Sequence, residues 1–534
     1  MILGSASAEF LSGQWAQGKN GWFFPIDEIR FYTSERPDTI NDATEAVTAL
    51  NSLFKHSGTD LYASVVPIRA RLYEDQLPGR IKLPPIIRNR YASALAAFKA
   101  GGVMAPDLNT LFQNSPDRLA TYPLYLKGDH HWAGPGGLLA AQTVAKQITA
   151  SGKVAQDDQV TSTVSWGTPK LSPKSPVAAD GKPAAKTQSE MYRPIQVSNQ
   201  EKSNSLLGNE TFPIAVVGDS FSNGERDGVG LFAFPSLIEH FSQRRTFNAA
   251  EPGKGPWLPM LDYLKSSAYQ DSRPKVLVWE MWEAFLSGDG QGYIPDDFLR
   301  QAGPLVLGKC QKPKPLALGK AVTLTPGDYL VLSGLNASQK SRLNYSRTQD
   351  QILDVTEGGQ AFVFPQRFGV VTLAMNRESQ PKSAGICTLP PAFVKTLAIN
   401  GKTIDLARNH ARNQVDIPGF YPSNDQLTSR WSLGPKSRVQ FLSTASATGS
   451  VSLKINNLFP DQHVDVALNG KAVKSLNLPT GITKLDLPIA VQTGLNDLTF
   501  TVKQFRDANA ATKKLVTDSR NLGLSFQRLA ISAK

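Results

Sequence analysis

The apolar positions of the chain keep two different periods, and the change falls near residue 300. In the first part, apolar residues recur every three to four positions over 41–57 and 89–100, which predicts amphipathic helices. Short continuous apolar runs stand among them at 61–66, closed by Pro67, at 212–217, closed by a Gly-Asp-Ser turn, and at 276–280. Runs of this kind predict strands buried on both faces. The segment after residue 132, GPGGLLAAQTVAKQITA, predicts a helix whose buried stripe holds Leu138, Ala141, Ala145 and Ile148. A further helix is expected after Gly230. Helices alternating with buried strands predict an α/β domain over residues 1–300.

Past residue 300 the helical period nearly vanishes. Residues 320–390 and 430–530 are short alternating runs separated by turn residues, the pattern of a β-sandwich or jelly roll. The expected organisation is an α/β domain at 1–300, a β-rich module at 301–400 and a β-sandwich at 401–534. One stretch interrupts the α/β pattern. Residues 157–190 are rich in Ser, Thr, Pro and Lys, with Lys170, Lys174, Lys182 and Lys186 among them. They read as a long loop, either a solubilising insertion or a flap beside an anionic substrate.

Composition narrows the function classes. With 41% hydrophobic and 19% charged residues, wholesale disorder is excluded. No apolar run approaches the ~18–20 residues that cross a bilayer as a helix, so no transmembrane segment is expected. Lys+Arg minus Asp+Glu is 57 − 45 = +12, which favours an anionic partner. Zinc-finger spacing and basic–aromatic motifs are missing, so nucleic acid is not the expected one. The two cysteines, Cys310 and Cys387, form no CxxC pair. They are two buried thiols or, in an exported protein, one bridge closing the 301–400 module. The opening MILGSASAEF is too short for a complete signal peptide, and the expectation is an exported protein whose signal segment this chain lacks.

The candidate chemistry sits in two motifs. Lys127-Gly128-Asp129-His130-His131-Trp132 holds two of the six histidines, and Gly218-Asp219-Ser220-Phe221-Ser222 follows an apolar strand. A glycine before a serine allows a sharp strand-to-helix turn that exposes the hydroxyl and aims backbone amides at a developing oxyanion. An aspartate two residues before a histidine can orient the imidazole and fix the tautomer that accepts the serine proton. The roles are then Ser220 nucleophile, His131 base and Asp129 orienter. His130 is the alternative imidazole, although an immediate neighbour pairs with Asp129 less favourably. Spacing cannot show that the two motifs meet, and no spacing demands a metal.

These motifs, with GWFF at 21–24, VVPIRARLYEDQLP at 65–78, FNAAEPGKG at 247–255 and VLVWE at 276–280 in the same order, resemble the alginate O-acetyltransferase family, the periplasmic AlgJ/AlgX-like branch of the SGNH-hydrolase-like superfamily. The resemblance covers roughly residues 20–300. It implies an SGNH-like catalytic domain with Asp129, His131 and Ser220 as its triad and an acetyl-serine intermediate attacked by a polysaccharide hydroxyl. It also implies oxyanion donors at the Ser220 amide and around Gly253, with Glu280 a candidate substrate contact and Glu280 or Glu283 shaping the site or supporting the fold. No tightly bound cofactor is implied, only an acetyl donor as co-substrate. The implied partners are a bacterial polysaccharide, a membrane acyl-donor system and export machinery. Trp132 beside His131 is a sugar platform or a packing residue, and Trp431 before the last β pattern a sugar platform or a core residue of its strand. Two alternatives stand: a carbohydrate acetylesterase with the same triad, and a non-catalytic polysaccharide-binding or assembly protein.

Overall fold

The structure, a computed structural model, describes residues 10–11, 15–29, 38–79, 81–158, 160–171, 190–199, 211–223, 234–287, 294–295, 297–346, 349–376, 379–406, 415–416, 430–507 and 521–533. Lys174, Lys182 and Lys186 of the basic loop lie outside these residues, as does the start of the chain. The described residues group into two units. One comprises 1–34, 54–264 and 268–293, and the other 35–53, 265–267 and 294–534.

The first unit is built on a parallel sheet. Its strands are β1 (Asp60–Val66), β2 (Ile214–Val217), β3 (Thr246–Asn248) and β4 (Val276–Trp282), in the order β3-β2-β4-β1. Every residue of β2 and β4 is buried, which is why these strands read as unbroken apolar runs. The helices include α1 (Pro85–Ala100), α2 (Gly134–Ser151), α3 (Phe234–Ser242) and α4 (Trp257–Lys265). Proline in the first turn of α2 and left-handed Gly152 (φ 64°) after its last turn set its limits. Its buried face holds Ala140, Ala141, Val144, Ala145 and Ile148, with Leu138 half-buried at the edge.

The second unit carries two separate apolar cores. The first gathers Leu330, Leu332, Leu343, Leu373 and Ile386. Its four-stranded sheet runs Lys314–Pro315, Ser383–Thr388, Asp328–Ser333 and Gln360–Val363. A disulfide joins Cys310 to Cys387, tying the segment after the helix α5 (Phe298–Leu307) to one of these strands. The second core lies among antiparallel sheets of six and five strands. Phe441, Val451, Ile455, Val466, Phe500 and Phe526 from both sheets meet in it. Alternate burial along Gly494–Val502 is the period-two signature of a sheet with one dry face. Among the described residues, no helix is long and apolar enough to cross a membrane.

Candidate active site

Both chemical motifs lie in the first unit. Strand β2 ends at Val217, and the chain turns at once through Gly218, Asp219 and Ser220. Ser222 and Asn223 donate their amides to the Asp219 carbonyl, both at 3.1 Å, and the Phe221 amide donates to Asp219 Oδ1 at 2.9 Å. A side chain is excluded at Gly218, because a Cβ there would stand 2.8 Å from Cβ of Glu280 and closer still to its carboxylate. Beneath the turn Glu280 of β4 accepts at Oε2 from the Asp219 amide (3.0 Å) and the Ser222 hydroxyl (3.1 Å).

The histidine motif is a loop pinched closed at its base. Tyr125 and Trp132 pair as an antiparallel bridge, the Leu126 amide donates to the His131 carbonyl (3.2 Å), and the Ala133 amide to the Leu124 carbonyl (2.7 Å). Its first arm is clamped from two sides. Fully buried Arg69 donates to the carbonyls of Leu126 (2.6 Å) and Phe23 (2.5 Å), with Glu28 at 3.5 Å balancing its charge. The Glu190 carboxylate accepts the amides of Lys127 (2.7 Å) and Gly128 (3.2 Å).

These two scaffolds bring the three candidate residues into line. His131 Nδ1 lies 2.9 Å from Asp129 Oδ1, and His131 Nε2 lies 2.7 Å from Ser220 Oγ. Asp129 and His131 are buried, and Ser220 is half-buried. Burial pushes the Asp129 carboxyl up, but the facing imidazoles of His131 and His130 more than reverse this and hold it well below the usual carboxylate range. An ionised Asp129 favours a proton on Nδ1, which leaves Nε2 free to accept from the serine. His130 is the second imidazole on Asp129, at 3.2 Å, and its ring packs against Trp282 and Phe221. Burial, then the neighbouring His131, lower its pKa. One donor atom from each of Asp129, His130 and His131 lies within 4.8 Å of the others, close enough to hold a cation. The short contacts to Ser220 and Asp129 engage both nitrogens of His131.

The remaining expected residues fall in different places. The 250–255 loop meets the serine turn where the Glu251 amide donates to the Gly218 carbonyl (3.0 Å) and Asn223 Nδ2 to the Ala250 carbonyl (3.1 Å). Gly253 follows with a φ of 77°. The Ser220 amide has no acceptor among the described residues. Trp132, expected to touch sugar, is fully buried. Its indole donates to the Phe221 carbonyl (3.0 Å) and packs on Phe221 and Phe234, so it supports the serine turn. Glu280, also expected at the substrate, is equally buried and holds the turn from below. Glu283 makes a two-pronged ion pair with Arg71 (2.7 and 2.5 Å) and lies 3.3 Å from Arg90, a fold-supporting cluster. Trp431 sits half-buried on the strand Arg430–Leu433 of the second unit, paired with Ser525. Sequence reasoning missed the clamp residues Glu28 and Glu190 and the packing residue Phe221. Their roles depend on groups 40 to 90 positions away, and no local pattern marks them.

The family model for the SGNH hydrolase-like domain of acetyltransferase AlgX matches residues 16–283. The chain belongs to this AlgX family. Its relatives include a probable alginate O-acetylase AlgJ of Pseudomonas putida, 26% identical over 50% of this chain and 69% of the relative. Another is an alginate biosynthesis protein AlgX of Azotobacter vinelandii, 27% identical over 58% of this chain and 61% of the relative. Among solved structures, AlgX of Pseudomonas aeruginosa superposes with a TM-score of 0.50 at 20% identity, over 70% of this chain and 94% of that one. The AlgX-family fold, an SGNH-like domain followed by β-rich modules, is therefore the fold of this chain.

Proposed function

We propose that the protein transfers acetyl groups to hydroxyls of an acidic bacterial exopolysaccharide through an acetyl-serine. The observation that carries this reading is the aligned Asp129–His131–Ser220 chain, with spacings of 2.9 and 2.7 Å. Family membership and relatives named as alginate O-acetylases supply the acyl group and the class of acceptor. Ser220 Oγ attacks the carbonyl of the acetyl donor while His131 Nε2 takes its proton. The donor's leaving group departs with that proton, and the acetyl ester remains on Ser220. A sugar hydroxyl then attacks the ester as His131 accepts its proton. Collapse of the tetrahedral intermediate forms the acetylated sugar and returns the proton to Ser220 Oγ. The Ser220 amide and the loop around Gly253 stabilise the oxyanion in both halves.

Export, a membrane acyl-donor system that supplies the acetyl group, and polysaccharide-export machinery as neighbour complete the reading. Residues 301–400 and 401–534 act in it as separate modules that hold or position polymer, with Trp431 a sugar contact. No tightly bound cofactor takes part. A direct test supplies an activated acetyl ester and a uronate polymer, then follows acetate release and polymer mass together. The wild type should acetylate polymer, and Ser220→Ala should lose at least about a thousandfold in rate. Acetate release with unmodified polymer would make the protein an esterase, and a fully active Ser220→Ala would remove the nucleophile.

A further inference from the structure

Asp129 Oδ1 faces two imidazoles, and the mechanism proposed above uses only one of them. His131 Nδ1 lies 2.9 Å from this oxygen and His130 Nδ1 3.2 Å. The two rings stand face to face, with centroids 4.1 Å apart and planes tilted by 34°. An imidazole carries Nε2 across the ring from Nδ1, so both Nε2 atoms project away from Asp129. That of His131 meets Ser220 Oγ at 2.7 Å. That of His130 has no hydrogen-bond partner among the described residues, and it is not a buried atom. The His130 side chain is 31% exposed, against 6% for His131. Trp282, with its ring centroid at 5.0 Å, and Phe221, at 5.7 Å, hold the His130 ring in place.

The surroundings fix what this nitrogen can do. The ionised Asp129 carboxylate draws the His130 proton to Nδ1. Burial and then the neighbouring His131 keep the pKa of the ring below the ordinary histidine value, so the ring is neutral at pH 7. Nε2 is then a bare acceptor. An acetyl ester has no N–H or O–H to offer it. A sugar ring offers hydroxyls. The attacking hydroxyl gives its proton to His131, which leaves the next hydroxyl on the ring for His130.

We propose that His130 binds the acceptor sugar, its Nε2 accepting a hydrogen bond from the hydroxyl next to the one that attacks the acetyl-serine. This assignment rests on the acetyltransferase reading above. The second hydroxyl keeps its proton and forms no covalent bond. Its contact with His130 turns the ring so that the first hydroxyl meets Ser220 and His131. Water carries no second hydroxyl on a fixed frame and gains no such orientation. His130 therefore favours transfer of the acetyl group over its hydrolysis.

The test follows the acetyl-serine to its two products. The full chain is given a small activated acetyl ester and an alginate tetrasaccharide below saturation, and acetylated sugar is measured against free acetate. His130→Asn keeps an N–H for Asp129 and removes Nε2. It should lower the ratio of transfer to hydrolysis about tenfold. His130→Gln, which sets an amide oxygen near the Nε2 position, should recover part of that loss. A residue that only held Asp129 or His131 would slow both products alike and leave the ratio unmoved. The ratio is also independent of how much of a variant folds. A second arm needs no variant to fold. A tetrasaccharide whose rings keep the acetylated hydroxyl and lack its neighbour should be acetylated by the wild type about tenfold more slowly than the parent. His130→Asn should treat the two acceptors alike. An unmoved ratio in His130→Asn, or a wild type indifferent to the missing hydroxyl, would overturn the role of His130 and leave the acetyltransferase reading standing. A wild type that releases acetate and never acetylates the sugar removes that reading, and the acceptor contact with it.

Discussion

Glu280 is an acid placed where water cannot reach it. Burial raises its pKa well above the usual carboxylate range, and the nearby Asp219 adds to the effect. Asp219 is itself raised by burial, against the pull of the Phe221 amide. Two acids in one dry space under the serine turn hold a proton more tightly than the unfolded chain does. The stability this contributes is fully present below the unfolded glutamate value, about 4.3. It is lost as pH rises from there through the folded value. Glu280→Gln keeps the acceptor for the Asp219 amide and the Ser222 hydroxyl without the titration. Its unfolding temperature should fall less than that of the wild type between pH 5 and 9, and identical pH slopes in thermal unfolding would refute this account. Glu280→Ala instead strands both donors and should cost about 2–4 kcal/mol. At this scale the residues that the structure aligns were marked locally, because Asp129 and His131 are two residues apart and Ser220 lies in the turn that closes an apolar run. Between a sugar contact and a packing role for Trp132, and between shaping the site and supporting the fold for Glu280, the sequence did not choose, because their neighbours in the fold, Phe221 and Ser222, lie 58 to 89 residues away.

Elements were legible where one environment covers the whole element. The run at 61–66 is β1 (Asp60–Val66), and the run at 276–280 is the front of β4 (Val276–Trp282). The helix expected at 89–100 begins earlier, at Pro85, since proline serves in a first turn where its missing N–H goes unneeded. The order β3-β2-β4-β1 was not legible. Parallel strands pair through crossovers whose length leaves the partner open, and this order sets Glu280 beside the end of β2. The Cys310–Cys387 bond encloses a separation of 77 residues, which in the chain-entropy view is worth about 4–5 kcal/mol. Reduction should therefore lower the unfolding midpoint of the second unit markedly. A midpoint unmoved after both thiols are shown to be free would deny the bond a stabilising role.

Over the whole molecule the charge sum of +12 bears on function through screening. The Debye length falls from about 10 Å at 0.1 M salt to about 3 Å at 1 M. The KM for a uronate polymer should rise several-fold across that range, while that for a small neutral acetyl ester stays nearly flat. Equal salt responses would mean that the positive balance plays no part in holding polymer. The sequence by itself determined the change from α/β to β organisation near residue 300, the strands beside the two motifs and the candidate residues Asp129, His130, His131 and Ser220 within them. Each of these is written in local spacing, because backbone period and neighbouring side chains act over a few positions. Only the tertiary structure decided that His131 rather than His130 faces Ser220 and that Glu280 and Trp132 serve the turn from within. Those facts depend on burial and on contacts between distant segments, and no single stretch of chain encodes them.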